Sequence, residues 1–297
     1  MATMTNSTTL KLSRLAAGTW KLSEWNWTTA QYQTWIAQCL ELGISSFDLA
    51  DIYGSYTGES LFGQALAAQP SLRARLQLIT KCGIKLLSPQ RPQHRVKSYD
   101  TSMQHIIASA EKSLRNLQTD YLDLLLLHRP DPLMAPDEIA EAFSRLLHSG
   151  KVRHFGVSNF TTSQFEMLNA FVPLYTNQVE CSLLHLDPLM DGTFDQAIRL
   201  QRTPMIWSPV GSGELFRSSN ERETRIRQTL AEIGVEQGVS SGVIAIAWLL
   251  RHPAKLIPII GSSKITRYQE AMHALSIELS REQWHRLWVA SLGRNTP

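Results

Sequence analysis

The chain has 297 residues, with 29 Lys and Arg against 26 Asp and Glu and a formal charge of +3. That balance is too near neutral for field alone to drive binding to nucleic acid or a membrane surface. With 43% hydrophobic and 19% charged residues the chain is not globally disordered, and at this length about 75% of the unfolded surface can be buried.

Strands are expected, in chain order, at Leu15–Thr19, Ile44–Asp48, Leu76–Lys81, Leu122–His128, Val152–Ser158, Tyr175–Glu180, Met205–Ser208 and Leu256–Ile260. Helical patterns fill the gaps. Ile106, Ile107, Ala110, Leu114 and Leu117 share one helix face, as do Ile139, Ala140, Phe143, Leu146 and Leu147. The second of these helices opens at Pro136-Asp137 and stops at Gly150. A helix from about Ser241 to Arg251 is ended by Pro253. Leu124-Leu-Leu-Leu127 is apolar without alternation, as a strand covered on both faces must be. Strand–helix repetition calls for parallel pairing with right-handed crossovers, and eight units favour a closed (β/α)8 barrel over an open sheet. No linker interrupts the pattern, so one domain over residues 1–297 is expected, with a short N-terminal β extension. Two loops look long: Lys85–Asp100 and Gly211–Asn220.

The longest apolar run, Val243–Leu250, falls well short of the about 20 residues of a membrane helix. Met1–Thr9 has neither a basic head nor an apolar stretch, so no secretory signal is expected. Cys39, Cys82 and Cys181 are odd in number and widely spaced, which fits a reduced, cytoplasmic setting. Nothing in the residues indicates an obligate partner chain.

A barrel carries its chemistry at the carboxyl ends of its strands. Three successive strand exits offer a carboxylate, an amine and an imidazole: Asp48, Lys81 and His128. Adjacent strands lie about 4.8 Å apart, so these groups can converge. Tyr53, in the loop after Asp48, can lean over the same volume. A phenol is a poor acid near neutrality. A neighbouring ammonium stabilises its phenolate and lowers its pKa, and a carboxylate holds that ammonium in place. Tyr53, Lys81 and Asp48 would form such a relay, with His128 donating a hydrogen bond to the reacting oxygen. The site would protonate a carbonyl oxygen while hydride reaches the carbon. No side chain gives hydride, so a nicotinamide is implied.

The stretch Gly43-Ile-Ser-Ser-Phe-Asp48-Leu-Ala-Asp-Ile-Tyr53-Gly, followed by Gly58-Glu-Ser-Leu-Phe-Gly63, resembles the signature of the aldo-keto reductases. So do Gly18-Thr-Trp20, Thr80-Lys81, Asp123-Leu-Leu-Leu-Leu-His128, Gly156-Val-Ser-Asn159, Asn177-Gln-Val-Glu180, Trp207-Ser-Pro209 and the run from Pro258 to Glu270. The resemblance covers about residues 15 to 275 in family order. It implies a barrel that binds NADPH (NADP+) without a Gly-rich fingerprint and reduces an aldehyde or ketone through Tyr53, Lys81, Asp48 and His128. Ser158, Asn159 and Gln178 match the groups that hold the nicotinamide carboxamide. Trp207 matches the aromatic that stacks on the ring. Ser208, Gly211 and Gly213 would line the pyrophosphate. Gly261, Ser262, Ser263, Lys264 and Arg267 form the expected anion site, the two cations favouring NADPH over NADH. Glu270 matches the adenine contact, although Ala271 stands where an Asn usually follows. Trp20 is expected in the substrate pocket, while Trp25 and Trp27 stay open between pocket and core.

Simpler readings compete at each position. Asp48 with Lys81 is also what a structural ion pair looks like, and Tyr56 is a rival phenol three residues from Tyr53. A barrel that senses the cofactor or binds a partner, resembling the auxiliary subunits of potassium channels, would carry the same cofactor residues. No H-E-x-x-H or Cys/His zinc spacing occurs, so no metal is expected. No G-x-S-x-G supports a serine hydrolase. Lys81 paired with Asp48 is a poor Schiff-base former. The basic stretch Arg91–Lys97 reads as a solvated loop, not a nucleic-acid contact.

Overall fold

The computed structural model describes residues 10–217 and 219–296. Its eight main strands are β1 (Ala16–Gly18), β2 (Ser46–Asp48), β3 (Gln77–Cys82), β4 (Leu124–Leu127), β5 (Phe155–Ser158), β6 (Asn177–Glu180), β7 (Met205–Trp207) and β8 (Ile257–Ile260). They form a closed barrel in the order β1-β8-β7-β6-β5-β4-β3-β2. All eight lie where the sequence places them, several of them shorter. Leu122 and Val152, expected inside strands, meet only in an isolated parallel bridge.

The expected N-terminal β extension falls largely on residues 1–9, outside the described residues. From Leu10 the chain reaches β1 with no strand, tied down by the Tyr175 hydroxyl donating to the Leu10 carbonyl at 2.7 Å. The two long loops carry local structure that was not expected. Ile84–Lys85 pairs antiparallel with Ser98–Tyr99 as a ribbon. Gly211–Gly213 forms a 3-10 turn and Glu214–Arg217 a single helical turn.

Contacts group the chain into two compact units, one ending at Gln178 and the other beginning at Val179. In the first unit the helices are α1 (Thr29–Glu41), α2 (Gly58–Ala68), α3 (Met103–Leu117), α4 (Pro136–His148) and α5 (Thr162–Asn169). Thr28 with Gln31 and Thr161 with Gln164 form capping boxes, which satisfy the first amides of α1 and α5. α2 lies close to α3 because Gly63 has no side chain: a Cβ there would stand 2.0 Å from the Asn116 carbonyl oxygen. Trp25 packs on Trp27 and Trp35, and Trp35 meets Phe47 edge-on. Trp25 and Trp27 therefore belong to an aromatic cluster. At the amino-terminal end of β4, Asp123 takes Arg73 at 2.8 Å and Arg153 at 3.3 Å, while both guanidiniums stack on Tyr121.

In the second unit the helices are α6 (Thr193–Arg199), α7 (Glu221–Gln237), α8 (Ser241–Leu250), α9 (Ile265–His273) and α10 (Arg281–Leu292). α8 is buried from Val243 to Leu249, which explains its unbroken apolar sequence. Trp248 and Trp284 stack and exchange hydrogen bonds, each indole N–H donating to the other's carbonyl oxygen. Among the described residues no single helix is long and apolar enough to cross a membrane.

Candidate active site

Strand register assembles the polar residues of the first unit. Asp48, the last residue of β2, pairs with Ile79 of β3, and Lys81 lies two residues further along that strand. β2 then runs on beside β3, the Leu49 amide donating to Ile79 and the Asp51 amide to Lys81. His128 follows β4 directly and its amide donates to the Cys82 carbonyl at 2.8 Å. Ser158 pairs with Gln178 across β5 and β6.

Lys81 is wholly buried and Asp48 nearly so. The ammonium lies 2.8 Å from both Asp48 carboxylate oxygens, 2.8 Å from the Leu49 carbonyl oxygen and 3.1 Å from the Tyr53 hydroxyl. An ammonium has three protons, and these three partners take them all. The Tyr53 oxygen thus accepts from Lys81, which leaves its own proton directed away from the ammonium. Tyr53 meets the His128 ring edge-on, with centroids 5.9 Å apart. Tyr56, the rival phenol, accepts instead from the Leu86 amide at 2.7 Å.

The expected lowering of the Tyr53 pKa needs correction. Burial raises it most, Lys81 lowers it, Asp48 raises it, and the balance lies above the usual tyrosine value. The reason is burial of the phenol, to which Asp48 adds against the lowering by Lys81. A neutral phenol suits a proton donor, and the adjoining ammonium stabilises the phenolate left after transfer. Burial pulls Lys81 down, but Asp48 and Tyr53 outweigh it, so it stays protonated. His128 is held well below the usual histidine value, first by burial and then by Lys81, Arg129 and Lys97. It is a neutral imidazole, and its Nδ1 is buried with no hydrogen-bond partner among the described residues.

Gln178 reaches the same centre, its Nε2 donating to Asp48 Oδ1 at 2.7 Å. The Ser158 hydroxyl donates to the Gln178 carbonyl at 2.9 Å, and Asn159 donates to Ser158 Oγ at 2.8 Å. Asn159 has a left-handed backbone (φ 60), which turns its side chain back onto the strand it leaves. Trp20 is 58% exposed, with the Lys21 ammonium 5.5 Å from its ring.

In the second unit, Trp207 ends β7, and Ser208, Gly211, Ser212 and Gly213 all have positive φ. The Gly211 amide donates to the Ser208 carbonyl at 2.8 Å and the Gly213 amide to the Val210 carbonyl at 3.0 Å, which closes the turn on itself. Arg217 donates to the Ser212 carbonyl at 2.7 Å and fixes the turn. The Gly261–Ser263 stretch leads from β8 toward α9. The buried Tyr268 hydroxyl donates to the Ser262 carbonyl at 3.0 Å and accepts from its amide. The Lys264 amide donates to Ser262 Oγ at 3.1 Å. Arg267 pairs with Glu270 at 2.8 Å, both partly exposed. The sequence reading gave these two residues separate ligand contacts, whereas the structure couples them.

Sequence reasoning missed Glu59, which is buried, accepts from Thr80 and Asn116 at 2.7 and 3.1 Å, and so braces the residue beside Lys81. It also missed Tyr268. The position of Glu59 inside the quoted motif was the available signal for the first. Among the described residues no group of His, Cys, Asp and Glu is arranged to hold a metal ion.

This constellation on a closed β/α barrel is that of an oxidoreductase. The aldo/keto reductase family model matches residues 14–290. The chain belongs to the aldo/keto reductase family. It is 47% identical over 291 residues to the uncharacterized oxidoreductase YcsN of Bacillus subtilis, covering 97% of each chain. It is 42% identical over 288 residues to a 6-dehydroglucose reductase of Agrobacterium fabrum, covering 96% of each. A crystal structure of an aldo/keto reductase from Klebsiella pneumoniae in complex with NADP and acetate has a TM-score of 0.75 and 25% identity, covering 93% of this chain and 90% of that one.

Proposed function

We propose that this protein reduces an aldehyde or ketone to an alcohol with NADPH, Tyr53 acting as the general acid. The single observation that carries the reading is the saturated Lys81 ammonium, which leaves the Tyr53 proton available for a carbonyl oxygen. The neutral His128 presents an N–H donor to that oxygen and sets its direction. Asp48 keeps Lys81 charged and in place, and Gln178 steadies Asp48.

The nicotinamide cofactor, when bound, supplies the hydride. The residues of each unit suit such a group. Ser158, Asn159 and Gln178 carry the donors and acceptors that a carboxamide needs, and Trp207 offers a stacking face. Ser208, Gly211 and Gly213 would line the pyrophosphate, and the stretch Gly261–Ser263 would lie beside the remaining phosphate oxygens. Lys264 and Arg267 would answer a 2′-phosphate, with Glu270 steering Arg267.

The Agrobacterium relative's name suggests the substrate class, a sugar oxidised to the aldehyde at its terminal carbon. Trp20, broad and exposed, supports it, since aromatic faces stack on sugar rings. The reading treats residues 1–297 as one domain. It takes the cytoplasm as the setting because Cys39, Cys82 and Cys181 are all unpaired and buried.

The test is NADPH consumption across aldehydes, ketones, quinones and sugar dialdehydes, with Tyr53→Phe as control. Turnover of a carbonyl that vanishes in the control supports the reading. NADPH binding with no turnover on the whole panel favours a cofactor-sensing barrel instead.

A further inference from the structure

The segment that follows the proposed acid has an unusual backbone. Gly54 (φ 58), Ser55 (φ 54) and Tyr56 (φ 74) are left-handed in succession, and two of the three are not glycine. Side-chain-bearing residues resist this conformation, so a run of them persists only where surrounding contacts impose it. Gly54 is further confined, because a Cβ there would lie 2.7 Å from the Ser23 hydroxyl. The turn follows Tyr53 directly in the chain.

The contacts that impose it come from the ribbon-closed loop between Ile84 and Tyr99. The Leu86 amide donates to the Tyr56 hydroxyl at 2.7 Å. The Arg91 guanidinium stacks on the Tyr56 ring, 4.3 Å from its centroid, and His94 meets the same ring edge-on. Ser88 Oγ donates to the Ser55 carbonyl at 3.4 Å. His94 Nδ1 lies 3.0 Å from the Leu86 carbonyl, which folds the loop back on itself. The loop is anchored at its base by the Ile84–Tyr99 and Lys85–Ser98 pairs and by Lys85 against Asp100. Arg91 also acts electrostatically on Asp51, two residues before the acid. Its side chain thus touches one side of Tyr53's turn and its field reaches the other.

We propose that Tyr56 and Arg91 are positioning residues: the loop grips Tyr56 through the Leu86 amide and the Arg91 guanidinium, holds the Gly54–Tyr56 turn left-handed, and thereby sets the Tyr53 hydroxyl at Lys81 and beside His128. Neither residue touches the reacting atoms. Their action is on the geometry of proton transfer, not on affinity. The inference rests on the reading of Tyr53 as the acid.

The test compares Y56F, R91M and R91K in the full chain with saturating NADPH and a carbonyl substrate from the screen. Y56F removes the acceptor for the Leu86 amide but keeps the ring. R91M keeps the length of the side chain and removes its charge. Both are expected to lower kcat about tenfold while KM for the carbonyl and the Kd of NADPH stay within about twofold. Both should raise the solvent deuterium isotope effect on kcat, because a misplaced donor makes proton transfer limiting. R91K, which restores a cation over the ring, should recover most of the loss. Wild-type kcat and isotope effect in both Y56F and R91M would overturn the proposal. So would a loss of kcat matched by equal loss of NADPH affinity or by an unfolding midpoint below the assay temperature, since that marks a general structural role. Y53F separates the two levels. If Y53F turns over like wild type, the acid reading fails and takes the proposal with it. If Y53F is inactive while Y56F and R91M are normal, the positioning role alone fails.

Discussion

Asp48 holds Lys81 by both carboxylate oxygens, each 2.8 Å from the ammonium, with Lys81 wholly buried and Asp48 nearly so. A buried pair of this kind is weak support for stability, but losing one partner leaves an uncompensated charge. On the proposed function, its placement at the carboxyl ends of β2 and β3, next to a phenol, gives the pair a role beyond that of a structural ion pair.

Asp48→Asn should therefore do two things. Removing the negative partner should destabilise the fold by about 3 kcal/mol. It should also lower the pKa of Tyr53 and of Lys81, since Asp48 raises both. The alkaline fall of kcat should move to lower pH than in wild type, where a phenol raised above about 10 keeps its proton through the neutral range. A pH profile of kcat in the two proteins measures the shift. An unmoved limb contradicts it.

His128 should not limit activity at mildly acidic pH. Its folded pKa lies well below that of a free histidine, so the neutral ring persists as pH falls through about 6.5. Because the unfolded chain binds that proton first, stability should decline from about pH 6.5 downward. In His128→Gln this part of the decline should be absent, as read from unfolding midpoints between pH 4 and 8.

Asp51 gives the opposite sign. Its Oδ1 is buried without a partner among the described residues, and burial together with Glu59 raises its carboxyl well above the ordinary value. An acid raised in the folded state costs stability as pH rises above the unfolded value of about 3.9. Asp51→Asn should be as stable as wild type below about pH 4 and increasingly more stable above it. A constant difference across that range would exclude the ionisation as the cause.

Removing Lys264 and Arg267 together should weaken NADPH more than NADH, by about tenfold in relative affinity, since only the former carries the extra phosphate. Fluorescence titration of both cofactors checks this. Equal weakening would place the 2′-phosphate elsewhere.

Much of this molecule is legible from its residues, and the gaps have physical reasons. The strands read clearly because a parallel barrel buries both faces, so a run such as Leu124–Leu127 carries no alternation and no ambiguity. Asp48, Lys81 and His128 stood out because a carboxylate, an amine and an imidazole occupy three successive strand exits, which neighbouring strands bring together. The direction of the Tyr53 shift was not legible, because it depends first on burial and then on Asp48 acting against Lys81, neither of which is a property of spacing. The Ile84–Tyr99 ribbon escaped because two-residue strands leave no periodicity to detect. Arg91 read as a solvated loop charge for the same reason: its stacking on Tyr56 is a tertiary contact between segments 35 residues apart.

The most direct measurement is single-turnover hydride transfer from NADPH to a carbonyl substrate, followed by loss of the reduced nicotinamide's absorbance in wild type and Tyr53→Phe. The account predicts a rate at least about a hundredfold slower in the variant, with NADPH affinity unchanged. Equal rates in the two proteins would contradict it.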